Sequence, residues 1–402
     1  MDKKPLIRRK SIVVCIVLLF VGTSIISTTA QDTEKQSTSR GTWLYVGGSG
    51  PGNYTRIQDA IDNASDNDTI IVFSGIYFEH IVVNKTLYLM GVNSTGGLPI
   101  VDANLSGDAI FVDAPRTTID GFVTQNSGSV FAFNQADIQV AAQNCTIKNC
   151  VCQGVSHHGI LINDSYESNF CQITNNTIVG AIWGIHTPGS EGGIRYLNIS
   201  GNSIIDCGIP LECSGVFQTI IYNNILTENT EGIWIRGHNI SVIGNRIYNN
   251  REWGIVIYRN YGGKTIVKSN IVSDNGAGIL LEGNYCEINL SYNIIISNHQ
   301  KAGINVLEMN HYYLEIFMNH IERNFPLGMK LVNTYKVGAL VQSNNIIHNP
   351  VFFLNFGGNF SSNYWGRALN HPKIIFGFFS FIPIIELDRN PAQQPYDIPE
   401  MN

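Results

Sequence analysis

The sequence predicts an all-β chain wound into a single-stranded parallel β-helix, and three observations carry that prediction. Glycine recurs at Gly159, Gly184, Gly208, Gly232, Gly254, Gly278, Gly303 and Gly328, spaced 22 to 25 residues apart. A period of this size marks a repeat architecture. Apolar residues alternate after these glycines, as in Gly232-Ile-Trp-Ile and Gly254-Ile-Val-Ile. Period 2 means that the repeated unit is made of strands. An asparagine stands before apolar or β-branched residues in most repeats: Asn176-Thr-Ile, Asn202-Ser-Ile, Asn245-Arg-Ile, Asn293-Ile, Asn319-His-Ile and Asn345-Ile.

One repeat thus reads as strand, Asn turn, short strand, Gly turn, strand. Asn tolerates the left-handed backbone of a sharp turn, and its amide can hydrogen-bond to the next rung. Gly is expected to supply the other left-handed corner. Ile and Val between the corners point inward and stack at about 4.8 Å per rung. A helical solenoid fails because Gly, Asn and β-branched residues are poor helix formers. A propeller needs about 40 residues per blade, and a leucine-rich consensus is absent.

The elements follow in order. Residues 1–30 read as an export signal, with Lys3, Lys4, Arg8, Arg9 and Lys10 ahead of the apolar stretch Ser11–Ile26 and a small-residue site at Ala30. That stretch is shorter than the roughly 20 residues of a membrane span, which favours cleavage over an anchor. Residues 31–42 are polar and read as a disordered linker. Residues 43–67 form an N-terminal cap whose helix, Asn53 to Ala64, takes Asn53 as its N-cap and covers the open end of the core. Residues 68–357 form the coil, with roughly eleven to thirteen rungs. Residues 358–402 form an apolar C-terminal cap, Ile374–Ile385, and an extended Pro-containing tail.

Composition narrows the function. Charged residues are only 14% and the formal charge is −6. Loss of residues 1–30 removes five basic residues and one acidic one, leaving 20 basic against 30 acidic. A mildly acidic surface argues against a nucleic-acid partner. Thirteen Asn-X-Ser/Thr sequons suit an exported glycoprotein. Seven cysteines follow the signal and match no disulfide framework. Cys145 and Cys171 share a register, and are expected to stack inward as free thiols or as a disulfide.

The segment Gly52-Asn53-Tyr-Thr-Arg-Ile-Gln-Asp-Ala-Ile-Asp62, then Asp68-Thr-Ile-Ile-Val and Gly75-Ile-Tyr-Phe-Glu79, resembles the opening of pectin-lyase-like right-handed β-helix proteins. The chain is more closely similar to the NosD-like, copper-binding and carbohydrate-associated β-helix family in its archaeal versions. Asn363-Tyr-Trp-Gly366 and the closing Asp388-Arg-Asn-Pro-Ala-Gln-Gln-Pro-Tyr-Asp-Ile398 are similar to the C-terminal cap of such members. The resemblance spans almost the whole chain after the signal. It implies the right-handed fold, which hosts enzymes and non-enzymes alike.

Three chemistries compete. Glycoside hydrolysis needs paired acids on neighbouring rungs, and Ser156-His157-His158-Gly only faintly resembles the His motif of such enzymes. Asp164, Glu212, Glu231, Glu252 and Glu282 look scattered. A metal site is the second, because Cys150, Cys152, His157 and His158 fall within one rung and suit copper or zinc. In register, Cys150 lies in the Asn column and Cys152 in an inward apolar column, so both read as structural. No cofactor is predicted, with copper or calcium held as alternatives.

Glycan binding is the third. Two residues after each Gly the outward column reads Leu161, His186, Pro210, Trp234, Val256, Leu280, Asn305, Lys330. Two further on it reads Asn163, Pro188, Glu212, Arg236, Tyr258, Glu282, Leu307, Val332. Trp234, His186, Arg236 and Tyr258 can stack on sugar rings and bond their hydroxyls. Trp183 and Trp253 flank this patch, although strand parity turns them inward. The sequence therefore reads as an exported, cell-surface β-helix that binds a polysaccharide or serves as a non-catalytic envelope component. Self-association and envelope proteins are further partners on that reading. A polysaccharide lyase or hydrolase, and a NosD-like copper accessory protein, are the alternatives.

Overall fold

The computed structural model describes residues 41–399, apart from 129–133, 155, 164–167, 190–192, 284, 310–312 and 335–337. The expected export signal, Asp164 and all but the last two residues of the expected linker lie outside the described residues. Each turn of the coil contributes one strand to each of three sheets. Thr146–Lys148, Val151–Gln153 and His158–Ile162 make one turn; Gln172–Thr174, Thr177–Val179 and Trp183–Thr187 make the next. We call the three sheets A, B and C in that order. Sheets A and C have 14 strands each and sheet B has 12. The strands of sheet B match the expected rung count. Sheet A gains the opening strand Trp43–Val46 and the late strand Gly358–Ser361, and sheet C gains the closing pair Lys373–Phe379 and Ile382–Asp388.

Inward side chains stack in register from rung to rung. Ile147, Ile173, Ile199 and Ile221 form one column. Ile178, Ile204, Leu226 and Ile247 form another. All are fully buried, and each isoleucine contributes about 1.5–3 kcal/mol by leaving water. Cys152 stands opposite Ile178 in that column. The seven described cysteines are buried free thiols. Cys145 and Cys171 donate to the Ala114 and Ala142 carbonyls.

The A–B corner carries the predicted asparagine ladder. Asn176, Asn202, Asn224, Asn245, Asn270, Asn293, Asn319, Asn344 and Asn363 are buried there. Each side-chain oxygen accepts from the backbone N–H of the ladder residue one rung earlier, as from Asn245 to Asn270 at 2.9 Å. The left-handed residue is the one before it, such as Asn175, Asn223, Ser269 or Tyr292. The ladder asparagine is therefore chosen for its amide, not for its backbone. Cys150 starts the ladder by donating its N–H to Asn176. Asp388 ends it, accepting from Asn363 N and from the Trp365 indole. That contact accounts for the Asn363-Tyr-Trp motif and the distant Asp388. Asn345, expected in the ladder, lies one residue beyond it and is bonded to the backbone of Tyr396 instead. A second ladder, Asn229, Asn250, Asn275, Asn298, Asn324 and Asn349, lines the B–C corner below Cys207.

The glycine column has a different cause from the one expected. None of its eight glycines has a positive φ. A Cβ at Gly232 would strike the carbonyl oxygen of Gly254, and one at Gly278 that of Gly303. Close approach of successive rungs, not a left-handed turn, selects Gly there.

The helix, α1 (Ile57–Asn63), starts four residues later than expected. Asn53 is no N-cap; its amide donates to the Gly47 carbonyl. Glu79 accepts from the N–H groups of Ile57 and Gln58 instead. Lys85 donates to the carbonyls of Ile61, Asp62 and Ala64. Opposite charges thus complement the two helix ends. At the C-terminus, Lys373–Phe379 and Ile382–Asp388 form an antiparallel hairpin. Phe376 and Phe381 in it are 70% and 96% exposed. Much of this apolar stretch faces outward, while Ile375 is buried and Ile384 packs against the core.

Candidate functional site

The outward face of sheet C gathers the candidate residues. Register pairs Leu161 with His186, His186 with Glu212, Glu212 with Trp234, and Trp234 with Val256. Glu212 thus replaces Pro210 in the expected column. The slip arises because Gly208 sits two residues early. A Cβ on Gly184 would meet the carbonyl of Pro210, so Pro210 occupies the glycine column on this rung. Arg236 pairs with Ser214 and is exposed.

Trp183 does not point inward. Its indole N–H donates to Glu212 Oε2 at 2.7 Å. Its ring lies 4.8 Å from His157, 5.5 Å from His158 and 5.3 Å from His186. Parity fails because the chain bends at the corner, where the glycine turns toward the core. Trp253 obeys the same rule. It is 8% exposed and packs outside the coil with Val256, Ala277 and Leu280, against the flanks of Trp234 and Tyr258. Lys301 Nζ lies 4.9 Å from its ring centre and pairs with Glu252. Trp234 donates to Glu231 Oε2 at 3.3 Å. Arg259 covers the Tyr258 ring at 4.8 Å.

A chain of polar groups runs beneath Trp183. His158 Nδ1 lies 3.1 Å from the Gln135 carbonyl, and His158 Nε2 lies 2.9 Å from His186 Nδ1. His186 Nε2 is 3.9 Å from Glu212 Oε2. Burial, aided by neighbouring His157, brings His158 down to about 4 despite the opposing bond to Gln135. Burial raises the carboxyl of Glu231, with the Trp234 N–H opposing. Glu212 was read as one of several scattered acids; here it meets two candidate residues. The slip at Pro210 hid that meeting from a count of residues after Gly208.

The proposed metal grouping does not form. Cys150 and Cys152 are buried on the core side of the corner and sheet B, with Cys150 bonded to the Lys148 carbonyl. His157 and His158 meet Trp183 on the other side of the wall. Among the described residues no three His, Cys, Asp or Glu side chains converge on one metal position.

The chain belongs to the right-handed β-helix family: the sequence model of the right handed beta helix region matches residues 138–295 and 183–349, together more than half of the chain. No curated protein sequence matches it. Among solved structures it is similar to the A-module of mannuronan C-5 epimerase AlgE6 from Azotobacter vinelandii. That match has 13% identity and a TM-score of 0.53, over 85% of this chain and 94% of the other. It is also similar to the enzymatically active domain of tailspike protein 2 of bacteriophage CBA120. That match has 11% identity and a TM-score of 0.50, over 82% of this chain and 54% of the other. At such identity the likeness shows the fold alone.

Proposed function

We propose that the protein binds a polysaccharide along the outward face of sheet C, with Trp183, His186, Trp234 and Tyr258 as its platform. One observation carries this reading. Trp183 and His186 on one rung, and Trp234 and Tyr258 on the two rungs beyond the Glu212 rung, present their rings on one face, beside carboxylates and a guanidinium that can bond sugar hydroxyls. Rings of this kind stack on the apolar faces of sugars, and polar groups around them fix orientation. The AlgE6 module is a mannuronan epimerase, and its coil is a precedent for this scaffold serving a polysaccharide partner.

The same reading gives α1 and the C-terminal segment the job of covering the ends of the coil. It places the protein outside the cell, after removal of residues 1–30, as a glycoprotein at the cell surface. A screen of the full chain on a glycan array tests the binding claim. Trp234→Ala is expected to weaken binding at least about tenfold, as loss of a central stacking ring does. Equal binding by Trp234→Ala would refute sheet C as the site.

A further inference from the structure

We infer that two copies of this chain pair face to face through the C-terminal hairpin, with Phe376 of each copy resting on the partner's Ile385. This does not depend on the polysaccharide reading.

Sequence and strand parity build the surface. Residues 374–385 carry no charged side chain. Ile375 and Gly377 turn to the core, so Ile374, Phe376 and Phe378 turn outward. Ile385 stands opposite Phe376 on the second strand, in the middle of the seven cross-strand pairs. These four outward side chains are between 40% and 70% exposed. The face runs on into the coil: Phe378 pairs with Leu354, Leu354 with Val332, and Val332 with Leu307. The Phe352 ring lies 6.3 Å from that of Phe378.

The area fits a second copy. With Phe381 and Ile382 at the turn, the patch exposes on the order of 700 Å², at roughly 200 Å² for a whole side chain. The largest apolar patch of an ordinary monomer is about 300–600 Å². A stable dimer buries about 800 Å² on each partner, which the patch reaches once half-buried Phe352 and Leu354 are added. Lipid matches it less well. The formal charge of −6 opposes anionic headgroups. Residues 373–388 contain neither Trp nor Tyr, the side chains that anchor at a lipid–water boundary.

The hairpin also selects its face over its edge. Ile382–Asp388 is the last strand of sheet C and leaves one side open for a further strand. The turn Ser380-Phe381 has two residues, so Phe379 and Ile382 form a hydrogen-bonded pair and Phe378 and Pro383 a non-hydrogen-bonded one. The Pro383 nitrogen therefore faces the open side, where it has no hydrogen to donate. Stacked faces need none. A two-fold axis parallel to the strands sets each strand over the partner's other strand, which brings Phe376 onto the partner's Ile385 at the centre. It also points the two coils away from each other and leaves Trp183, Trp234 and Tyr258 uncovered.

Sedimentation equilibrium of the full chain at micromolar concentration, without detergent, tests the pairing. The parent should sediment at twice the mass of one chain. Phe376→Glu and Ile385→Lys each put an unpaired charge into the contact, and each should raise the dissociation constant at least about 100-fold. Both positions face outward, so cooperative thermal unfolding should match the parent. An equimolar mixture of the two variants brings the opposite charges together, and should dimerise at least about tenfold more tightly than either variant alone. A monomeric parent would overturn the inference. So would a dimer that survives both substitutions, which would assign assembly to another surface, or a mixture no tighter than its components. A monomer retained on phosphatidylcholine–phosphatidylglycerol vesicles, and released by Phe376→Glu, would overturn it in favour of a lipid surface.

Discussion

Asn270 illustrates how single residues specify this coil. Its side chain makes four hydrogen bonds, two to Asn293 and Val242 and two from Asn245. Asn270→Ala strips a partner from two buried backbone groups, Asn245 N–H and Val242 C=O. At about 1–3 kcal/mol for each orphaned group, the expected loss is about 2–6 kcal/mol, read by denaturant unfolding. A change below about 0.5 kcal/mol would mean that the ladder contributes little. His158 sets a pH dependence. Its folded pKa of about 4 lies below the usual 6.5, so its contribution is present above pH 6.5 and lost as pH falls toward 4. The loss is about 3 kcal/mol, and His158→Gln should flatten that part of the stability profile. Residue-scale expectations were hardest to place at irregular turns. Asn345 stood one position from Asn344, and Pro210 stood where Glu212 belongs. Sequence spacing cannot see a two-residue slip between one corner and the next.

At the scale of elements, the strands and ladder were visible because inward apolar residues recur with period 2 and the buried amide has few substitutes. The glycine column was visible too, but its cause was not, because φ and interatomic clearance are properties of packed rungs. Gly278→Ala separates the two causes. A Cβ there meets the Gly303 carbonyl, so the variant should lose roughly 1–3 kcal/mol by overpacking. A left-handed glycine with open space around it, such as Gly52, should instead lose only the roughly 1–2 kcal/mol of backbone strain. Thermal unfolding of Gly278→Ala alongside the mobility of its rung, read by hydrogen exchange, checks the mechanism: packing strain loosens Gly303 as well as residue 278. The helix start was misplaced because its N–H groups are served by Glu79, more than 20 residues away, which no local capping pattern reveals.

For the whole molecule, the fold was readable from one repeat, since each rung meets only its neighbours and the same pattern must serve many times. The candidate site was readable in part. Trp234, His186, Arg236 and Tyr258 do share the outward face of sheet C, because strand alternation decides that much. Trp183 and Trp253 were turned the wrong way by parity, and Glu212 joined them only through the slip at Pro210. A site on a solenoid lies where the repeat departs from its average, so its local geometry escapes the consensus that reveals the coil.

The most direct test of the central claim is hydroxyl-radical footprinting of the full chain with and without a polysaccharide that it retains. Side-chain oxidation would be read at Trp43, Trp183, Trp234, Tyr258 and Phe381. Binding on sheet C predicts protection of Trp183, Trp234 and Tyr258, with exposed Trp43 and Phe381 unchanged. Protection confined to Trp43 or Phe381, with the sheet C rings oxidised as before, would contradict it.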